Sequence, residues 1–411
     1  MRAPAPKTSV LIQQQENLEA LCAQLKAAAY EDGAPMAIDT EFISERRYSP
    51  RLCLVQVFSE IKTGAVEALI DPFEVDLAPL LALVADPKVT KIVHAGGQDL
   101  QIFCHEYGTA AESVFDTQIA AAFLGYGHQI GYSDMIRRLI KGVHLSKDSQ
   151  YTNWAERPLS PVQMEYALND VRYLPTVLTL LQDDLKTRGR LSWAEAEFRR
   201  AEAKARESLP PEEMYRKFNL SGLKRRQIGN LRELAATREQ LARRLNKPPS
   251  FIASDPTLLQ MAKQPPANNA GLRAVRGMSP MVLEHADKFL QALKHAAQLT
   301  DAELPPALDN SERPDPRTDA VAALLGVLAQ ARAEDHDISR SYLASRDQIV
   351  GLAAWWLRHS PGPDDELPAL PVLSDWRYEI VGREMIDLLH GRVAIALNSA
   401  SDIPILRTLP L

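Results

Sequence analysis

The sequence predicts an α/β domain built on a mixed sheet, followed by two all-helical domains. Three observations carry this. Up to about residue 150, strand-like runs come first in close succession, and strands then alternate with helices. After "SLPPEE" (208–213) only helical periodicity continues. A polar stretch, "DAELPPALDNSERPDPRT" (301–318), has four prolines in 18 residues and reads as a linker. The expected domains are 1–208, 209–299 and 316–411, with a linker over 300–315. The last two are alike in size and class, as a diverged repeat would be.

The elements follow in chain order. "TSVLIQ" reads as a strand and "QENLEALCAQLKAAA" as an amphipathic helix. "MAIDTEF", "RLCLVQVFS" and "GAVEALID" are β-rich runs separated by turn-prone residues, which predicts an antiparallel meander. "VTKIVHAG" reads as a buried strand leading into a helix over 98–105. "SVFDT" and "QIAAAFLG" repeat that pairing. "SPVQ" (160–163) is a capping box with proline at the first helical position. The helix should run through "MEYALNDVRYL" and kink at Pro175, which removes a backbone donor, with "TVLTLLQDDLKTR" helical again.

Composition bounds the function. With 45% hydrophobic and 24% charged residues, the chain reads as globular and soluble. "MRAPAPKTSVLIQQQ" lacks a secretory apolar stretch, and "AVAALLGVLAQA" is shorter than a membrane span. Cys22, Cys53 and Cys104 form no CxxC, which argues against a disulfide framework or zinc site and for a cytoplasmic location. The net charge of −6 excludes a uniformly basic nucleic-acid binder. Yet residues 215–247 hold ten Lys/Arg against two Glu, a net of +8.

Asp39 and Glu41, in "MAIDTEFISERRY", lie at i and i+2 of a strand, so both leave the same face. Thr40 should point the other way. Like charges this close raise each other's proton affinity, and a hard divalent cation removes the conflict. Such a pair is more often simply solvated. In "IVHAGGQDLQIF", Asp99 follows a strand and a Gly-Gly turn; it could equally be an acid favourably placed at a helix start. Tyr166 and Asp170 share one face of a later helix at i and i+4, where a core tyrosine beside a solvated acid is the plainer reading.

Together, Asp-x-Glu, a distant Asp after a strand and Tyr-x-x-x-Asp on a helix resemble the DEDD exonuclease superfamily in its tyrosine-bearing branch. "AIDTEFISERRYSPRLCLVQV", "KIVHAGGQDLQIF", "VFDTQIAAAFLG" and "WAERPLSPVQMEYALNDVRYL" resemble the ribonuclease D family, in order. "LKRRQIGNLRELAATREQLARRLNKPPSFI" is similar to the helicase-and-ribonuclease-D C-terminal (HRDC) module. The resemblance spans about residues 8–296 and is weaker beyond. Two positions depart from it: Thr152-Asn153 stands where the family often has Ser-Asp, and Thr237 where the module has tryptophan.

The resemblance implies an RNase H-like fold, two HRDC-type domains, and 3′–5′ exoribonuclease activity. Its substrates would be RNAs with a free 3′ end, tRNA precursors in particular, with no membrane and no obligate protein partner. Asp39, Glu41, Asp99 and Asp170 would converge on two divalent cations, and their hard oxygens favour Mg²⁺ or Mn²⁺ over zinc. Asp39 would bridge both cations, Glu41 and Asp170 would complete one site, and Asp99 would serve the other. Tyr166 would orient the attacking water. Asp116, which opens a helix, is expected to cap it, with contact to the metal shell as the alternative. His94 is a second supporting candidate, or else a satisfied semi-buried histidine.

In the basic block, Lys224, Arg225 and Arg226 are expected to grip the RNA backbone, with Arg46, Arg47 and Arg51 as further candidates. A solvated helix face is the bland alternative. Residues 316–396, at a net of −4, should pack and position; Trp355 and Trp356 should be core. A DNA 3′ exonuclease and a non-catalytic RNA-binding scaffold are the competing readings. All four acids and the tyrosine are present, which speaks against the scaffold.

Overall fold

The computed structural model describes residues 10–62, 64–145, 152–306, 315–362, 365–398 and 405–410. They fall into two compact units: Met1–Glu41, Cys53–Arg206 and Pro314–Leu411 in one, Phe42–Leu52 and Glu207–Arg313 in the other.

The first unit opens with β1 (Val10–Ile12) and α1 (Gln15–Asp32). The three β-rich runs follow as β2 (Met36–Ile43), β3 (Arg51–Ile61) and β4 (Gly64–Ile70). After α2 (Ala78–Ala85) come β5 (Lys91–Val93), α3 (Gly97–Tyr107), β6 (Val114–Asp116) and α4 (Thr117–Ala122). Four helices then run in series: α5 (Tyr132–Leu139), α6 (Pro161–Arg172), α7 (Leu174–Thr187) and α8 (Leu191–Arg206).

The sheet order is β1-β4-β3-β2-β5-β6. β3 and β4 pair antiparallel; β1 with β4, β2 with β5, and β5 with β6 pair parallel. β3 is buried from Leu52 to Ser59, as the near-continuous apolar run of a central strand requires. One face of the sheet carries Ala37, Phe58, Ile92 and Phe115 in a common core with Ile119 of α4, Val177 of α7 and Phe198 of α8.

The second unit contains α9 (Arg225–Leu245), α10 (Pro249–Ile252), α11 (Asp255–Lys263), α12 (Asn269–Arg273), α13 (Pro280–Glu284) and α14 (Ala286–Gln298). Its core joins Leu231 and Leu234 to Leu258, Met261 and Phe289. The β2–β3 connection belongs here too: Tyr48 N and Ser49 N each donate to Asn246 Oδ1 at 3.1 Å. The stretch expected as linker is packed over its first half. Leu299 and Leu304 are buried, and a Cβ on Gly229 would lie 2.6 Å from Leu304 Cδ2. Residues 307–314 of that expected linker lie outside the described residues.

The chain then returns to the first unit through α15 (Thr318–Asp335), α16 (Arg340–Leu343), α17 (Arg346–His359), α18 (Asp375–Arg377) and α19 (Arg383–Leu389). Leu325, Leu343, Leu352, Val372 and Met385 join the core beneath the sheet helices. Ser339 N donates to Ala122 O at 2.8 Å, Trp376 stacks on Trp193 at 4.6 Å, and Arg377 pairs with Glu197 at 2.5 Å. Trp355 and Trp356 are half-buried and pack against this core. The segment is not all helical, as the sequence reading had it. β7 (Val393–Asn398) and β8 (Ile405–Pro410) form an antiparallel hairpin. "RVAIALN" carries the alternation of a strand within a stretch where helical periodicity dominates.

Candidate active site

Asp39 and Glu41 stand near the end of β2, on the face that Ala37 turns to the core. α6 brings Tyr166 and Asp170 to them. Its start is set by the predicted capping box: Gln163 N donates to Ser160 Oγ, and Ser160 N donates to the Gln163 side chain. Its end is set by Pro175, with Tyr173 separating α6 from α7.

Two buried ion pairs fix these parts. Arg172 of α6 donates from Nε and Nη2 to the two Glu67 oxygens of β4, at 2.7 and 3.0 Å. Arg157 does the same to Asp71, at 2.7 and 2.8 Å, and donates to Cys53 O at 2.7 Å. The first holds α6 on the sheet; the second holds the approach to α6. Such bidentate pairs fix geometry as well as energy.

Asp99 is placed by a strained turn. Ala95 adopts a positive φ of 56°, uncommon for a residue with a Cβ. A Cβ on Gly96 would lie 2.6 Å from Val93, so only glycine fits there. The Asp116 carboxylate holds the turn, accepting from Ala95 N and Gly96 N at 3.1 Å each. It also caps α4 through Gln118 N and Ile119 N, at 2.8 and 3.3 Å. Both Asp116 oxygens are thus committed to backbone.

The oxygens of Asp39, Glu41 and Asp170 come within 4.8 Å of one another. Asp99 is fastened separately: the Thr40 hydroxyl donates to its Oδ1. The residue that strand alternation sends away from the two acids is therefore the one that grips the third.

These carboxyls all hold their protons more tightly than usual. Burial, then Asp99, Asp170 and Glu41, raise Asp39 well above the carboxylate range. Burial, then Asp170 and Asp99, push Glu41 up to about 8. Burial pushes Asp170 up to about 7, against a hydrogen bond from the Tyr166 hydroxyl. Burial pushes Asp99 up to about 6, against the Thr40 donation. Burial and then the same acids raise Tyr166, so it stays a neutral phenol. An all-oxygen donor set under this repulsion suits a hard divalent cation.

Comparison with known proteins decides the family. A 3′–5′ exonuclease family model matches residues 9–186, and an HRDC domain model matches residues 227–293. The chain is 35% identical over 391 residues to ribonuclease D of Gluconacetobacter diazotrophicus, covering 95% of each protein. It is 36% identical over 394 residues to ribonuclease D of Sphingobium indicum, covering 95% of this chain and 96% of that one.

The chain belongs to the ribonuclease D family.

It is a hydrolase of the 3′–5′ exoribonuclease class. Among solved structures it is similar to Escherichia coli RNase D, described as an exoribonuclease involved in structured RNA processing. The TM-score is 0.80 at 31% identity, covering 93% of this chain and 99% of that one. The catalytic core of RRP6 from Trypanosoma brucei shares the fold, with a TM-score of 0.52 at 23% identity over 72% of this chain and 83% of that one. One HRDC module is matched in this chain, and the segment after it adds the β7–β8 hairpin to its helices.

Residues proposed for RNA take mixed positions. Arg225 donates to Pro305 O and Leu304 O at 3.1 and 3.2 Å, and Arg226 to Leu299 O at 2.6 Å. Arg232, Arg238 and Arg243 likewise hold carbonyls or acids of their own unit. Lys224, Lys217, Arg244 and Lys247 are exposed. Arg46, Arg47 and Arg51 lie in the connection that groups with the second unit. His94 is held at Nδ1 by Thr117 Oγ1 and at Nε2 by Ile130 O, each at 3.0 Å, and burial lowers its pKa to about 4. That is a satisfied neutral histidine.

Sequence reasoning missed Thr40, Glu67, Asp71, Arg157 and Arg172. Buried acids inside otherwise apolar strands, such as "AVEALID", were the available signal.

Proposed function

We propose that the acidic centre binds two divalent cations, Mg²⁺ or Mn²⁺, and that the enzyme uses them to hydrolyse RNA from its 3′ end, with tRNA precursors among its substrates. The observation that carries this is the convergence of the Asp39, Glu41 and Asp170 oxygens within 4.8 Å, under charge repulsion that a dication relieves. When bound, the cations supply an activated water and neutralise phosphate charge.

The chain's own residues do the rest. Asp39 would bridge the two positions, and Glu41 and Asp170 would complete one. Asp99 has Oδ1 engaged by Thr40, which leaves Oδ2 to serve the other. Tyr166, a neutral donor to Asp170, would orient the attacking water and is no base. Exposed Lys224 and its basic neighbours would contact phosphates without reading sequence. We place the enzyme in the cytoplasm, on its cysteine usage and its bacterial relatives.

The test is cleavage of 3′-labelled tRNA precursor and of matched DNA, with Mn²⁺ or EDTA. Stepwise shortening of RNA is expected with Mn²⁺ alone. Asp39→Asn should lower it by more than the roughly 10–100-fold that follows loss of a supporting group, with no loss of melting temperature in EDTA. Near-wild-type cleavage by Asp39→Asn would remove the metal assignment, and preferred cleavage of DNA would remove the substrate assignment.

A further inference from the structure

Asn246 closes α9 in the left-handed region, at φ 48° and ψ 49°. Glycine adopts that conformation without a Cβ penalty and is the usual choice at a helix end. The asparagine side chain has a partner far away in the chain. Its Oδ1 accepts from Tyr48 N and Ser49 N, which lie 198 and 197 residues earlier, at 3.1 Å each.

A second attachment sits further back on α9. Glu239 is 5% exposed there, and a buried carboxylate is costly unless it is paired. The Tyr48 hydroxyl donates to Glu239 Oε1. Arg243 Nε donates to the Tyr48 hydroxyl at 2.9 Å and to Glu239 Oε1 at 3.0 Å. The Arg243 guanidinium lies 5.7 Å from the centre of the Tyr48 ring, and the ring packs against the core of Leu231, Leu234 and Phe289. Tyr48 and Arg243 thus give the buried acid its partners.

The segment held in this way is the 44–50 connection, which groups with the second unit. It continues directly from β2, where Glu41 stands two residues before the strand ends at Ile43. Ser44, Glu45 and Arg46 are exposed, and Arg46 adopts a positive φ of 58°. A short exposed connection has many backbone states open to it, and two N–H groups bound to one fixed oxygen select among them.

We propose that Asn246 and Tyr48 are positioning residues for the cleavage reaction. By clipping the connection after Glu41 onto α9, they hold the Glu41 end of β2 in the geometry that takes up a cation. This rests on the proposed reading of Glu41 as a cation ligand. It gives the HRDC module a part in catalysis besides contact with RNA, because a small displacement of a catalytic group costs a large factor in rate.

The experiment uses the full chain and compares Asn246→Gly with Asn246→Asp. Glycine keeps the left-handed end of α9 and removes the acceptor. Aspartate also tolerates that conformation and restores an acceptor oxygen. Three quantities are read: tryptic cleavage after Arg46 and Arg47 in the native protein, single-turnover cleavage at saturating RNA, and the Mn²⁺ concentration that gives half the maximal rate. Asn246→Gly should be cut by trypsin roughly tenfold faster or more, since two hydrogen bonds that close the connection are lost. Its saturated rate should fall roughly tenfold or more, and it should need more Mn²⁺. Asn246→Asp should return all three toward wild type. A glycine variant that is cut faster yet keeps the wild-type rate and Mn²⁺ requirement overturns the inference. Unchanged tryptic cleavage, or an aspartate variant as slow as the glycine one, overturns it too. Should Asn246→Gly not fold, Tyr48→Phe keeps the ring and loses the hydroxyl. It should shift rate and Mn²⁺ requirement in the same direction, and wild-type values there count against the clip. If Asp39→Asn cleaves like wild type, the reading of the acidic centre fails instead, and the tryptic and saturated-rate measurements alone then judge Asn246.

Discussion

Tyr166 shows how one hydroxyl divides its work. It donates to Asp170, which favours the charged carboxylate, while burial opposes that charge. Tyr166→Phe keeps the ring against Trp154, whose centroid lies 6.0 Å away, and loses only the hydroxyl. Single-turnover cleavage should fall by ~10²-fold or more with little change in melting. The acidic limb of the rate profile should also move to higher pH, because Asp170 then holds its proton more tightly. Unchanged turnover and profile would leave Tyr166 a packing residue.

The four acids also make a stability prediction. Their folded pKa values lie above the unfolded ones, to about 6, 7 and 8 for Asp99, Asp170 and Glu41. At low pH both folded and unfolded forms are protonated. As pH rises past the ordinary carboxylate value near 4, the unfolded chain loses these protons first and gains stability relative to the fold. In EDTA, the urea midpoint should therefore decline from about pH 4 to about pH 8. Mn²⁺ should remove the decline, and Asp39→Asn should make it shallower. A flat midpoint in EDTA would contradict the repulsion argued for the site.

At the scale of elements, the strand-turn-helix from β5 to α3 differs from the start of α6. α6 begins on local rules alone, a capping box and a proline. Ser160→Ala should cost about 1 kcal/mol and scarcely alter cleavage. The α3 turn instead depends on Asp116, which is distant in sequence and holds four backbone N–H groups. Asp116→Ala should cost roughly 1–3 kcal/mol or more, since several donors lose their acceptor together. It should also slow cleavage, because Asp99 rides on that turn. Urea unfolding beside single-turnover kinetics tests both variants. Equal kinetic effects would deny the turn its role.

Over the whole molecule, charge and packing take different places from those a linear count suggests. The +8 block is largely consumed inside its own unit, where arginines tie α9 to the 299–305 stretch. Lys224 and Arg226 should therefore respond differently to charge reversal. Lys224→Glu should weaken binding of a tRNA precursor and lower its salt slope by roughly 0.7 per lost phosphate contact, with melting unchanged. Arg226→Glu should mainly lower the melting temperature, because Leu299 O loses its donor. Binding measured at several salt concentrations, on Asp39→Asn protein, separates them. Identical salt slopes for Lys224→Glu and its parent would leave that lysine a solvated group. The acidic segment from 315 onward adds to the core of the nuclease unit and ties to it through Arg377 and Trp376.

The acids, the tyrosine and the helix that carries two of them were legible in the sequence because their spacing is local. Two residues along a strand, or four along a helix, fix a shared face whatever the rest of the chain does. The succession of strands and helices along the chain and the start of α6 followed from equally short-range signals. Tertiary structure decided everything that depends on a distant partner: Thr40 on Asp99, Asp116 on the α3 turn, and Arg225 and Arg226 on carbonyls some 75 residues away. It also buried Gln56, a polar residue in an apolar run, with no hydrogen-bond partner for its amide among the described residues. A charge or an amide names its chemistry in the sequence, but its partner is chosen only by which backbone and side-chain groups the fold brings within hydrogen-bond distance.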